Sequence, residues 1–218
     1  MDVYVAPEVA EVDALYPYVK EKLFRALSIR EQVEQQAETL LTAHADGDPR
    51  IRMQIMSWWP EASGRDVAGI LATPFTHDDA LLTISREYGF ENWRAVDALG
   101  SKTSDPEFES ALDKMLTGDA QSLGDMLKDN RALAIQQSDY GHKATLLHYL
   151  GANGVESHRQ RTPLNAVDLA KLLLEHGADR NAEANMYGGG QTPFALASTS
   201  AHPVKAGISD ALNAVLAA

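Results

Sequence analysis

Apolar residues recur at three- and four-residue spacing along almost the whole chain and nowhere alternate over a run long enough for a sheet, so the pattern predicts helices. Across residues 10–28, Leu15, Val19, Leu23 and Leu27 mark one face of a first helix. Across 29–45, Val33, Ala37, Leu40 and Leu41 mark a second, which the turn-forming DGDP ends. MQIMSWWP predicts a third helix that stops at its tryptophans. Thr76 is placed to cap HDDALLTISREYG, whose first turn carries two acidic residues at the positive helix end. Gly89 ends that helix, and ENWRAVDAL forms a short partner. The polar, proline-bearing SKTSDPE, residues 101–107, is the junction, dividing an N-terminal helical region, 1–104, from a second region, 105–218.

Beyond the junction the pattern repeats. FESALDKMLTGD and AQSLGDMLKDN give two helices separated by Gly118. TLLHYLGANG and AVDLAKLLLEHGAD repeat that order, and TPFALASTSA with SDALNAVLAA begins a third copy. Asn130 to Thr145 and Gly177 to Thr192 are both 15 residues apart. The equivalence is physical, because Asn and Gly accept the left-handed conformation that ends a helix, and Thr caps the next one.

TLLH at 145–148, TPFA at 192–195 and LLLEHGADRNA at 172–182 resemble the TPLH and GAD-x-NA signatures of ankyrin repeats, units of about 33 residues. Leu146 replaces the motif proline and Ala195 its histidine. The unit from Thr145 to Thr192 is 47 residues long, and its surplus falls in two places: VESHRQRTPLN, residues 155–165, between paired helices, and a finger around Tyr187 to Gly190. REYGFENW, TLLHYLGANGVESHRQRTP, MYGGG and TSAHPVKAG together resemble a group of bacterial ankyrin-repeat proteins. The resemblance implies an all-α, ankyrin-like helical solenoid with an additional N-terminal helical region, about three helix pairs long with the middle pair enlarged. It also implies protein binding through finger tips and the concave face, and it places His148 where the motif histidine bonds neighbouring backbone.

Composition narrows the function classes. The 218 residues are 44% hydrophobic and carry a net charge of −12, which argues against a nucleic-acid partner. No apolar run reaches the roughly 18 residues of a membrane span, and the acidic start lacks the basic and apolar regions of a secretion signal. With no cysteine there is no thiolate nucleophile and no cysteine-based zinc site, and no histidine pair has metal-ligand spacing. A cytoplasmic protein without metal or cofactor is expected. Its partner is a protein or a small organic ligand.

The candidate site residues cluster in the insertions and the last loop. Tyr140, Asn153, Arg159, Gln160, Gly188, Gly189, Gly190 and Thr199 are candidates for contacting the partner. Arg159 with Arg161 suits bidentate capture of a carboxylate or phosphate, and the three glycines can bring backbone N–H groups to an anion, although no P-loop follows them. The leading reading is a non-catalytic binding protein. The alternative is a cofactor-free acid–base isomerase or cyclase, or a small-molecule binder. Its pocket would be formed by 155–165, the YGGG finger and the His202-Pro203 loop, with His148, Glu156, Tyr187 and His202 as its catalytic groups. An apolar patch on the last helix would instead mark a subunit of a larger assembly.

Overall fold

The computed structural model describes residues 2–218; Met1 lies outside it. Helix accounts for 60% of it and strand for 5%, so the protein is predominantly helical. The described residues form two compact units, one of residues 7–104 and one of residues 105–218 together with 2–6.

In the first unit the helices start where side chains can cap them. Ser28 and Glu31 form a reciprocal capping box at the head of the helix Ile29–Ala45, and Thr76 and Asp79 form another at the helix His77–Glu87. These two helices pack on each other, burying Val33, Ala37 and Leu40 against a face that includes Ala80, Leu81 and Ile84. The helix Arg52–Trp58 packs on His77–Glu87 and buries Ile55. The Trp59 indole donates to Asp79 at 3.1 Å.

The first predicted helix is divided. It runs as Pro7–Leu15, a 3-10 turn Pro17–Lys20 and a short helix Lys22–Arg25. Pro17 supplies no N–H and turns Tyr16 away from helical geometry, to φ −120° and ψ 62°. The apolar register shifts with the break, so Phe24 is buried and Leu23 is 81% exposed.

In the second unit three helix pairs follow one another. Pro106–Leu116 precedes Ala120–Asp129, Leu146–Tyr149 precedes Ala166–Glu175, and Pro193–Thr199 precedes Ser209–Ala217. The first members contact one another in sequence, and so do the second members, giving two rows. Leu112, Met115, Leu123, Leu127, Leu147, Leu169, Leu173, Leu196 and Leu212 fill the core between them. The middle pair is unequal, since Leu146–Tyr149 is a single turn. The connecting segments before the second and third pairs are each pinched by an antiparallel bridge, Gln137 with Thr145 and Ala184 with Gln191. They lie side by side: the Asn185 amide donates to the His142 carbonyl at 2.7 Å, and the Gln137 side chain to the Glu183 carbonyl at 3.3 Å.

Two features depart from the expected pattern. The 155–165 insertion contains a strand, β2 (Arg161–Pro163), paired antiparallel with β1 (Val3–Val5), with Tyr4 opposite Thr162. Helical periodicity gives no sign of so short and so distant a pairing. The expected His202-Pro203 loop is instead a short helix, Ala201–Lys205, capped by the Ser200 hydroxyl, which accepts from the His202 amide at 3.3 Å. Pro203 falls in its first turn, where a missing N–H leaves nothing unpaired.

Candidate functional site

Two fully buried histidines sit at the base of the connecting segments. His148 closes a capping box on its own helix, accepting from the Thr145 amide at Nδ1 (3.1 Å). Because a backbone N–H can only donate, the ring proton must reside on Nε2. From there it is shared between the Ala182 and Gln191 carbonyls, both at 3.0 Å. One imidazole thus ties a helix start to both arms of the next finger. Burial drives the His148 pKa down to about 4, against the smaller raising effect of the two carbonyls. His142 repeats the arrangement. Its Nδ1 accepts from the Ala144 amide at 3.1 Å, and its Nε2 faces Glu156 Oε2 at 3.5 Å. In both rings the lone pair needed to take a substrate proton is already used.

The insertion is fastened by buried charge. Glu109, on the helix Pro106–Leu116, pairs with Arg159 Nη2, while Arg159 Nη1 lies 3.4 Å from Glu156 Oε1. The Tyr149 hydroxyl reaches the same Glu156 oxygen at 3.4 Å, and the Arg159 guanidinium lies over the Tyr140 ring at 5.6 Å. Burial would raise the Glu156 pKa, but Arg159 and then His142 outweigh it and hold the carboxyl at about 2. Burial would likewise lower Arg159, but Glu109 and Glu156 keep it firmly charged. Gln160 donates to the Val155 carbonyl at 2.7 Å and Arg161 Nη2 to the His158 carbonyl at 3.0 Å, closing the insertion on itself. Arg159 is therefore committed to two internal carboxylates rather than held out for an anion. His142 Nε2 and Glu156 Oε2, both fully buried, have only each other as polar partner.

The enlarged finger has a different character. Tyr187 and Gly188, Gly189 and Gly190 all have positive φ, from 51° to 100°. Four consecutive left-handed residues reverse the chain tightly, and only glycine adopts them freely. Tyr187 is 62% exposed, yet its hydroxyl donates to Asn153 Oδ1 at 2.7 Å. Asn153 in turn donates to Thr199 Oγ1 at 3.2 Å and to the Leu196 carbonyl at 3.3 Å. Gly154, with φ 73°, completes the site, because a Cβ there would stand 2.8 Å from Met186 Sδ. The neighbouring segment exposes Ile135, and the helix start beyond the finger exposes Phe194.

The candidate residues therefore fall into separate groups. Tyr140, Glu156 and Arg159 meet in the buried cluster. Asn153, Tyr187 and Thr199 form a hydrogen-bonded chain under the finger. His148 is spent on backbone, and His202 lies in the helix Ala201–Lys205 against both strands. Sequence reasoning missed His142, Glu109 and the strand β1. The available signal for Glu109 was a carboxylate on the apolar face of Phe108, Ala111 and Leu112. Among the described residues no three His, Asp or Glu are grouped to hold a metal ion, and no helix is long and apolar enough to cross a membrane. No family model, curated protein or solved structure matches the chain.

Proposed function

We propose that this is an ankyrin-type binding protein that recognises a protein partner through its connecting fingers and acts in the cytoplasm. Stacked helix pairs in two rows and paired fingers at regular spacing support the ankyrin part of this reading. The observation that carries the binding part is Tyr187. An exposed aromatic ring on a backbone of positive φ is costly in isolation, and here the finger fixes it with a hydrogen bond to Asn153. A rigid aromatic anchor presented with its ordering cost already met is what tight recognition uses. Ile135, on the connecting segment before the second helix pair, is a further exposed apolar side chain. Of the two imidazoles that the acid–base alternative uses, His148 has no free lone pair, which favours the binding reading.

The test begins with affinity capture from cells that make the protein, followed by calorimetry with the purified partner. Tyr187→Ala and Ile135→Ser are each expected to weaken binding by about tenfold or more, about 1.4 kcal/mol, with unchanged circular dichroism. Partner binding that ignores both substitutions, or binding only of a small molecule unaffected by them, would sink this reading.

A further inference from the structure

The surface around the enlarged finger is uncharged. Residues 184–201 and 149–155 build it and contain no Asp, Glu, Lys, Arg or His, in a chain where 23% of residues are charged and the net charge is −12. These stretches expose the Tyr187 ring, Phe194, Ser198 and Thr199. A charged group docked here would give up water and find no opposite charge. The segment of a partner that fits is therefore neutral, and its docking is indifferent to salt.

The polar side chains of this surface are already engaged within the chain. The Tyr187 hydroxyl donates to Asn153, and Asn153 donates to Thr199 and to the Leu196 carbonyl. Thr199 and Ser198 donate to the Ala195 carbonyl at 2.8 and 3.1 Å, and Gln191 to the Gly189 carbonyl at 3.4 Å. The backbone is less committed. Gly189 donates to the Met186 carbonyl at 2.9 Å, whereas no bond among the described residues uses the amides of Gly188 and Gly190, both exposed. The finger thus presents a fixed aromatic face beside two main-chain donors. Its complement is a flat apolar group with bare carbonyl oxygens next to it. An extended proline-bearing segment supplies both, since its backbone makes no internal hydrogen bonds and its rings are rigid and uncharged. Such a segment docks on exposed aromatic rings with little ordering left to do. A helical segment would bring carbonyls already used along its own axis.

Resting on the binding reading above, we propose that the enlarged finger docks an uncharged, extended, proline-bearing segment of the partner protein. A prolyl ring of that segment lies on the Tyr187 ring, and its neighbouring carbonyls accept from the amides of Gly188 and Gly190.

Decaproline with blocked ends is the probe, titrated into the isotope-labelled full chain and followed through the amide resonances. The expected result is saturable shifts concentrated at residues 187–190, with a Kd that changes by less than about twofold between about 0.05 M and about 0.5 M sodium chloride. Tyr187→Ala should weaken binding by about tenfold or more while the helix resonances stay in place. Tyr187→Phe should bind as the unmodified chain does, because the hydroxyl is turned to Asn153. Resonances at 187–190 that do not move, shifts that persist in Tyr187→Ala, or binding that weakens steeply with salt overturn the proposal. The captured partner separates this proposal from the reading beneath it. A partner protein that needs Tyr187, while decaproline leaves 187–190 unmoved, sinks the proline assignment alone. A partner protein that ignores Tyr187 sinks both.

Discussion

At the scale of single residues the glycines divide by what surrounds them. At Gly190 a new Cβ meets open space, so Gly190→Ala costs only the left-handed backbone, about 1–2 kcal/mol. At Gly154 the same backbone cost is joined by the collision with Met186 and by a 3.1 Å approach to the Tyr187 ring. Gly154→Ala is therefore expected to cost roughly 2–4 kcal/mol. Urea unfolding of the two variants checks the order, and equal losses would contradict the packing argument. Tyr187→Phe removes one half-exposed hydrogen bond and should cost no more than about 1 kcal/mol, separating the stability of the finger from its recognition. Much at this scale was legible: Gly118 and Gly177 were read as helix ends, and both have positive φ. The use of Asn153 was not legible, because its partners Tyr187, Leu196 and Thr199 come from two later segments.

At the scale of elements the insertion depends on one cation. Arg159→Met leaves Glu109 and Glu156 facing each other in the interior, and removing one partner of a buried ionic set costs about 3–5 kcal/mol. The expected result is a lowered unfolding midpoint, with amide exchange that accelerates first across 155–165. Uniform loss across the second unit would show instead that the bridge serves the core. The helix ends of the first unit were readable because a cap is local: Thr76 and Asp79 lie three residues apart and do the whole task together. Pro17 was equally visible as a residue, but apolar spacing across it masked the break, and so Leu23 was assigned inward where Phe24 is. The β1–β2 pair has no local signal, since three residues set no period and Val3 lies far along the chain from its partner Pro163.

At the scale of the whole molecule the buried groups set the response to acid. The folded His148 ring resists protonation until about pH 4, whereas in the unfolded chain it takes a proton near 6.5. Its contribution is complete above pH 6.5 and is lost as the pH falls towards 4, roughly 3 kcal/mol in all. Glu156, held at about 2 against an ordinary 4.5, adds a second loss between those values. Stability measured by denaturant should therefore decline from pH 6.5 downward, and His148→Gln should flatten the part above pH 4.5. A flat wild-type profile over that range would refute the assignment. The helical class was legible in the three- and four-residue apolar period. The charged interior was not, because Glu109, Glu156, Arg159 and His142 acquire their meaning only when two helices and an insertion close around them. The arrangement of His148 also gives the folded molecule a spectroscopic signature. Its Nε2 proton is sealed between two carbonyls away from water, so it should appear as a sharp downfield proton resonance. The rate at which deuterium erases that line then serves as a clock for the opening of the second unit.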